Sequence, residues 1–85
     1  MKEFTYTIVD PQGIHARPAG MLVKESNKFE SKITVKKGDK VGDAKRIFAI
    51  MGLGAKKGEE LTITVEGADE AVAAEAIENF LKENL

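Results

Sequence analysis

Hydrophobic and polar positions alternate at the start of the chain. Phe4, Tyr6 and Ile8 are spaced by Thr5 and Thr7, and Val9 extends the run. All are good strand formers at period two, so a first strand is expected over residues 2–9. Asp10-Pro11-Gln12-Gly13 reads as a turn. Pro18 is tolerated in the first turn of a helix. Ala19, Leu22, Val23 and Ser26 then mark a small-to-apolar face at helical spacing, with Phe29 just beyond. The spacing predicts a helix over about residues 16–27.

Ile33 and Val35 alternate with Thr34 and Lys36, which predicts a second strand. Gly38-Asp39 is a hairpin turn, and a short third strand follows around Lys40–Asp43. Arg46–Leu53 holds Ile47, Phe48, Ile50, Met51 and Leu53 and is punctuated by Gly52 and Gly54. That pattern predicts a short helix stopped by glycine. Leu61, Ile63 and Val65 alternate with Thr62, Thr64 and Glu66 in a fourth strand. Gly67-Ala68 leads to Asp69 as N-cap of a last helix. Its apolar stripe is Val72, Ala73, Ala76, Ile77, Phe80 and Leu81.

The order is β-α-β-β-α-β-α, with one apolar face per element. This defines an α+β class, a two-layer sandwich with helices on one face of the sheet. The other face carries Thr, Lys and Glu and stays wet. The pattern does not fix the strand order. Eighty-five residues make one small domain, and 42% apolar with 32% charged residues suits a soluble globular chain.

Composition removes several chemistries. There is no cysteine, hence no disulfide, zinc–thiolate site, iron–sulfur cluster or thiol nucleophile. One histidine excludes a multi-histidine metal site; separately, no metal and no cofactor are expected. No apolar stretch reaches ten residues, which excludes a signal peptide or a membrane span and makes the cytoplasm the expected location.

The net charge of −1 hides a split. Residues 1–58 carry twelve Lys and Arg against six acids, a balance of +6. Residues 59–85 carry only Lys82 against eight acids, a balance of −7. A basic face and an acidic face are expected.

Four places compete for chemistry. Gly52-Leu53-Gly54-Ala55-Lys56-Lys57-Gly58 resembles a dinucleotide fingerprint, but its third glycine is one residue late. It also lies between a helix and a strand, the reverse of the context that motif needs, so a helix stop and turn is the better account. The acids of Asp69–Glu83 read as the solvated face of the last helix rather than an acid–base pair.

The third place is Gly13-Ile14-His15-Ala16-Arg17-Pro18-Ala19. His15 sits just before the expected helix. The backbone N–H groups of Ala16 and Arg17 would then lack intrahelical partners and form an anion site. Arg17 supplies a planar donor for phosphate or carboxylate. An imidazole is a nucleophile through its unprotonated ring nitrogen. A phosphoryl group taken by that ring would fall on the N–H groups and Arg17. The bland alternative is a histidine that only caps the helix.

The fourth place is Arg46–Leu53. Ile50 and Leu53 suffice to anchor so short a helix. Ile47, Phe48 and Met51 are left over, and an exposed apolar patch there would signal a protein partner. Lys24, Lys45 and Arg46 would ring it if it lies near the first helix. The alternative is a fully buried helix.

The motif around His15 resembles the phosphohistidine site of the HPr family, phosphocarriers of the bacterial phosphoenolpyruvate:sugar phosphotransferase system. The resemblance spans the whole chain. It includes the element order, Lys45 to Gly54 as a docking helix, Gly58 before the fourth strand and the Gly67-Ala68-Asp69-Glu70 lead-in to the last helix. It implies an open-faced β-sandwich, a four-stranded antiparallel sheet of order 1-4-2-3 with three helices on one side.

It further implies that His15 accepts a phosphoryl group on Nδ1 from phosphorylated enzyme I. His15 would pass the group to IIA domains of sugar permeases, with Arg17 holding it and Pro18 shaping the helix start. The docking surface would join Gly20, Met21 and Lys24 to Ile47, Phe48 and Met51. The carrier would be a monomer, a covalent intermediary and not an autonomous enzyme. Many members of the family carry serine where this chain has Arg46. In low-GC Gram-positive bacteria that serine is phosphorylated by a dedicated kinase for catabolite control. Arg46 has no hydroxyl, so that regulation is not expected here, and Arg46 is instead expected to meet acidic groups on a partner.

Three other readings are separable. A small hydrolase of acyl or phosphoryl anhydrides would turn over an acyl phosphate unaided. An α+β module for RNA or a small ligand needs stacking aromatics, and only Phe4 and Tyr6 are offered, on one strand and pointing the same way. A carrier of a nitrogen-linked branch differs only in its partners.

Overall fold

The alternating segments pair into one antiparallel sheet in a computed structural model that describes residues 1–85. Its strands are Lys2–Thr7 (β1), Lys32–Lys37 (β2), Lys40–Asp43 (β3) and Glu60–Glu66 (β4), in the order β1-β4-β2-β3. The helices are Ala16–Ser26 (α1), Ile47–Met51 (α2) and Glu70–Asn84 (α3).

Register decides which side chains are buried. Phe4 lies opposite Ile63, which lies opposite Val35 on its other side. Val65 likewise meets Ile33. Leu61, Ile63, Val65, Ile33 and Val35 therefore share one face, and none is more than 1% exposed. Thr5, Thr62 and Lys36 form the matching row on the open face. A slip of one residue would exchange the two faces, so the apolar alternation itself fixes the register.

The helices close the covered face. α1 contributes Ala19 and Leu22, α2 contributes Ile50, and α3 contributes Ala73, Ile77 and Leu81 at i, i+4 spacing, all buried. Val72 departs from the expected stripe and is 64% exposed. It sits one position, about 100°, away from Ala73, which takes the core-facing place.

Three boundaries differ from the sequence expectation. β1 ends at Thr7 rather than at Val9. The Ile8 N–H donates to the Glu59 carbonyl at 3.1 Å, and the Val9 N–H to a Leu85 oxygen at 2.7 Å. The chain thus leaves the ladder for the loop before β4 and the end of α3. The short helix is Ile47–Met51, not Arg46–Leu53, because Arg46 is its N-cap and Gly52 its C-cap. Leu53 is instead held by a tight turn, its N–H donating to the Ile50 carbonyl at 3.2 Å.

Asp69 occupies the N-cap of α3, but its carboxylate does not cap the helix. It reaches back to the α1–β2 connection and accepts the N–H groups of Glu30 and Ser31, each at 2.9 Å, and the Ser31 hydroxyl. A carboxylate at that position has two competing sets of donors, and the distant set wins because three donors converge there.

Candidate functional site

α1 begins where Pro18 falls in its first turn, and His15 is its N-cap in an extended conformation. The His15 side chain makes no capping hydrogen bond, so the ring is not used to finish the helix. The His15 carbonyl accepts the first intrahelical bond, from the Ala19 N–H at 3.0 Å. Pro18 has no N–H. The N–H groups of Ala16 and Arg17 therefore have no acceptor within the chain. They lie at the positive end of an 11-residue helix whose first turn holds no acid to neutralise it.

Arg17 is exposed and lines, with His15, Pro18 and Met21, a cavity of about 210 Å³. Asp10, Glu83 and Asn84 close its other side. These three were not picked out from the sequence. Asp10 reads there as turn chemistry, and Glu83 and Asn84 as the polar end of a helix. Only the topology brings the end of α3 beside the β1–α1 loop, where a Leu85 oxygen also accepts the Asp10 N–H at 2.8 Å. The Asp10 carboxylate accepts the Gln12 N–H at 2.8 Å, which tightens the turn ahead of Gly13.

The second group of expected residues gathers on a neighbouring surface. α1 and α2 meet where Gly20 faces Ile47, whose Cδ1 would lie 3.7 Å from a Cβ at Gly20. Ile50 and Leu53 are buried at 0% and 1% exposure and anchor the short helix. Ile47 is partly buried against the core, while Phe48 is 86%, Met51 40% and Met21 41% exposed. Lys24 is exposed on α1. Arg46 is also exposed, its nearest carboxylate oxygen being that of Asp43 at 3.9 Å.

Lys45 does not join this ring. Its ammonium turns inward and donates to the Phe29 carbonyl at 2.7 Å. The reason is local: the residues after α1 leave a carbonyl free within reach of a long cationic side chain.

A four-stranded antiparallel sheet of order 1-4-2-3, covered on one face by three helices, is the HPr-like open-faced sandwich. Comparison with known proteins gives the same class. The family model described as the PTS HPr component phosphorylation site matches residues 2–83. The phosphocarrier protein HPr of Lysinibacillus sphaericus is 45% identical over 83 residues, covering 98% of this chain and 94% of that protein. Among solved structures, the histidine-containing phosphocarrier protein of Mycoplasma superposes with a TM-score of 0.94 at 39% identity, covering 96% of this chain and 93% of that one. HPr-C-His of Thermoanaerobacter tengcongensis gives 0.92 at 40% identity, covering 98% and 93%. The chain belongs to the HPr family of phosphocarriers of the phosphotransferase system.

Proposed function

We propose that His15 is the phosphoryl-carrying residue of this chain. The observation that carries this is the placing of one imidazole at the start of α1, beside Arg17 and two backbone N–H groups without acceptors, at an open cavity. In acceptance, the Nδ1 lone pair forms a bond to phosphorus as the donor's own bond to phosphorus breaks. The donor atom leaves with that electron pair. The phosphoryl oxygens then meet the Ala16 and Arg17 N–H groups and the guanidinium. Onward transfer reverses the roles, with the His15 nitrogen as leaving group. Positioning within the protein–protein complex lowers the barrier, which suits a carrier that does not turn over substrate unaided.

The donor in this reading is phosphorylated enzyme I, and the acceptors are IIA domains of sugar permeases in the cytoplasm. Both dock on Gly20, Met21 and Lys24 of α1 and on Arg46, Ile47, Phe48 and Met51 around α2. The carrier acts as a monomer. Arg46 offers no hydroxyl, so this position has no serine-phosphorylation switch. No helix is long and apolar enough to cross a membrane.

Incubation with enzyme I and phosphoenolpyruvate, followed by mass detection, tests the reading. One acid-labile phosphoryl group per chain is expected, and none on His15→Ala. A His15→Ala protein that still gains the group sinks the assignment, as does unaided turnover of a small acyl phosphate.

A further inference from the structure

We propose that Glu59 is a positioning residue for His15, acting through the loop 54–59 and the carbonyl of Ala55. The functional consequence rests on the phosphocarrier reading above; the geometry does not.

The His15 ring has no hydrogen-bond partner at the helix start, so the backbone leading into it sets where the imidazole stands. That backbone is seated on the loop 54–59. The Ile14 N–H donates to the Ala55 carbonyl at 3.0 Å, and the Gly58 N–H donates to the Ile8 carbonyl at 2.8 Å. Gly13 is buried, with φ of +64°, and lets the two backbones meet closely. A Cβ at Gly13 would lie 2.4 Å from the Ala55 oxygen and 2.8 Å from the Lys56 Cα. The segment before His15 therefore takes its position from Ala55.

Ala55 is in turn fixed by its neighbours. The Glu59 carboxylate accepts the Lys56 N–H at 2.7 Å. Its other oxygen lies 3.4 Å from the Lys37 ammonium, which also donates to the Gly54 carbonyl at 3.3 Å. The Glu59 N–H returns to the Lys56 carbonyl at 3.0 Å. One carboxylate and one ammonium thus brace the loop on both sides of Ala55. The Lys56 N–H, with the Lys37 charge beside it, holds the Glu59 carboxyl below the usual glutamate range, so the brace is charged at neutral pH.

A partly exposed pair of this kind, on the protein surface, contributes little to folding stability. Its effect is on position. A reacting atom displaced by about an ångström loses orders of magnitude in rate. The same loop follows α2 directly, through Gly52, Leu53 and Gly54. The brace therefore fixes the histidine relative to the surface on which a partner would sit.

The test compares Glu59→Ala, Glu59→Gln and Lys37→Met with the intact chain. Expected for Glu59→Ala are a roughly tenfold lower kcat for phosphoryl acceptance from enzyme I with KM unchanged, and faster hydrogen exchange at the Ile14 amide. The thermal midpoint should barely move. Glu59→Gln, which keeps an acceptor for the Lys56 N–H, should restore most of the rate, and Lys37→Met should fall between. Gly13→Ala should exaggerate the same signature where it folds; the Glu59 variants carry the test whether or not it does. Unchanged Ile14 exchange or an unchanged kcat in Glu59→Ala overturns the proposal. A fall in kcat matched by a fall in thermal midpoint does too. Failure of the intact chain to accept a phosphoryl group overturns the phosphocarrier reading instead, and the exchange measurement keeps the two failures apart.

Discussion

Ser31 and Asp69 stand 38 residues apart and share one oxygen: Oδ1 of Asp69 accepts both the Ser31 N–H, at 2.9 Å, and the Ser31 hydroxyl. Oδ2 takes the Glu30 N–H at 2.9 Å. The clamp ties the connection between α1 and β2 to the start of α3. The Ser31 hydroxyl, and after it the Glu30 N–H, holds the Asp69 carboxyl below the ordinary aspartate range. The fold therefore favours the ionised form. That stabilisation is fully present above the unfolded-state value, about 4, and is lost as the pH falls through the lower folded-state value. Asp69→Asn should lower the urea midpoint at pH 7, and the gap to the intact chain should narrow below pH of about 4. An equal gap at both ends of the pH range would show that the charge plays no part.

Phe48 and Ile50 lie two positions apart on α2 and should behave oppositely. Ile50 is fully buried and Phe48 is 86% exposed. Ile50→Ala opens a cavity in the core and should cost about 2–5 kcal/mol of unfolding free energy. Phe48→Ala should change it by less than about 0.5 kcal/mol. In phosphoryl acceptance the order reverses: Phe48→Ala should raise KM for enzyme I roughly tenfold, the cost of one aromatic anchor at an interface. Urea titration and initial rates give both quantities. A Phe48→Ala protein as unstable as Ile50→Ala would place the ring in the core.

Lys45 should act on stability rather than on docking. Its ammonium is committed to the Phe29 carbonyl at 2.7 Å, and its own carbonyl accepts the Asn27 side-chain amide at 3.4 Å. Lys45→Met keeps the stem and removes the charged donor. It should lower unfolding free energy by about 1–2 kcal/mol while leaving the salt dependence of phosphotransfer as it was. A changed salt slope with stability intact would return Lys45 to the docking ring.

The elements were legible in the sequence where periodicity and burial agree. β2 and β4 follow their apolar alternation, and α3 follows Ala73, Ile77 and Leu81. The sheet order came from the family resemblance, since no local pattern encodes which strands pair. Long-range side-chain partners were not legible. Asp69 looks like a cap because Asp is a good cap, and nothing local says that Ser31 waits across the chain. Lys45 looks like a surface cation for the same reason. The cavity beside His15 was half visible: His15, Arg17 and Pro18 share one motif, whereas Asp10 and Glu83 meet only through the packing of α3. Glu59 carried no signal, because its effect depends on where Ala55 touches Ile14.

Arg46 stands alone enough to test electrostatic docking. Its side chain is 80% exposed, and its one nearby acid, Asp43, is 3.9 Å away, too long for a strong bond. It is the N-cap of α2, where a cation is mildly unfavourable, and no acid in the first turn offsets it. Nothing in the fold therefore uses the charge, whereas an acidic partner surface would. Arg46→Ala and Arg46→Ser should raise KM for enzyme I several-fold at low salt and very little at high salt, where screening shortens to about 3 Å. The plot of log kcat/KM against log salt should become shallower for both variants, and Arg46→Lys should keep the original slope. Rates and slopes that ignore all three substitutions would leave Arg46 as a surface residue without a docking role.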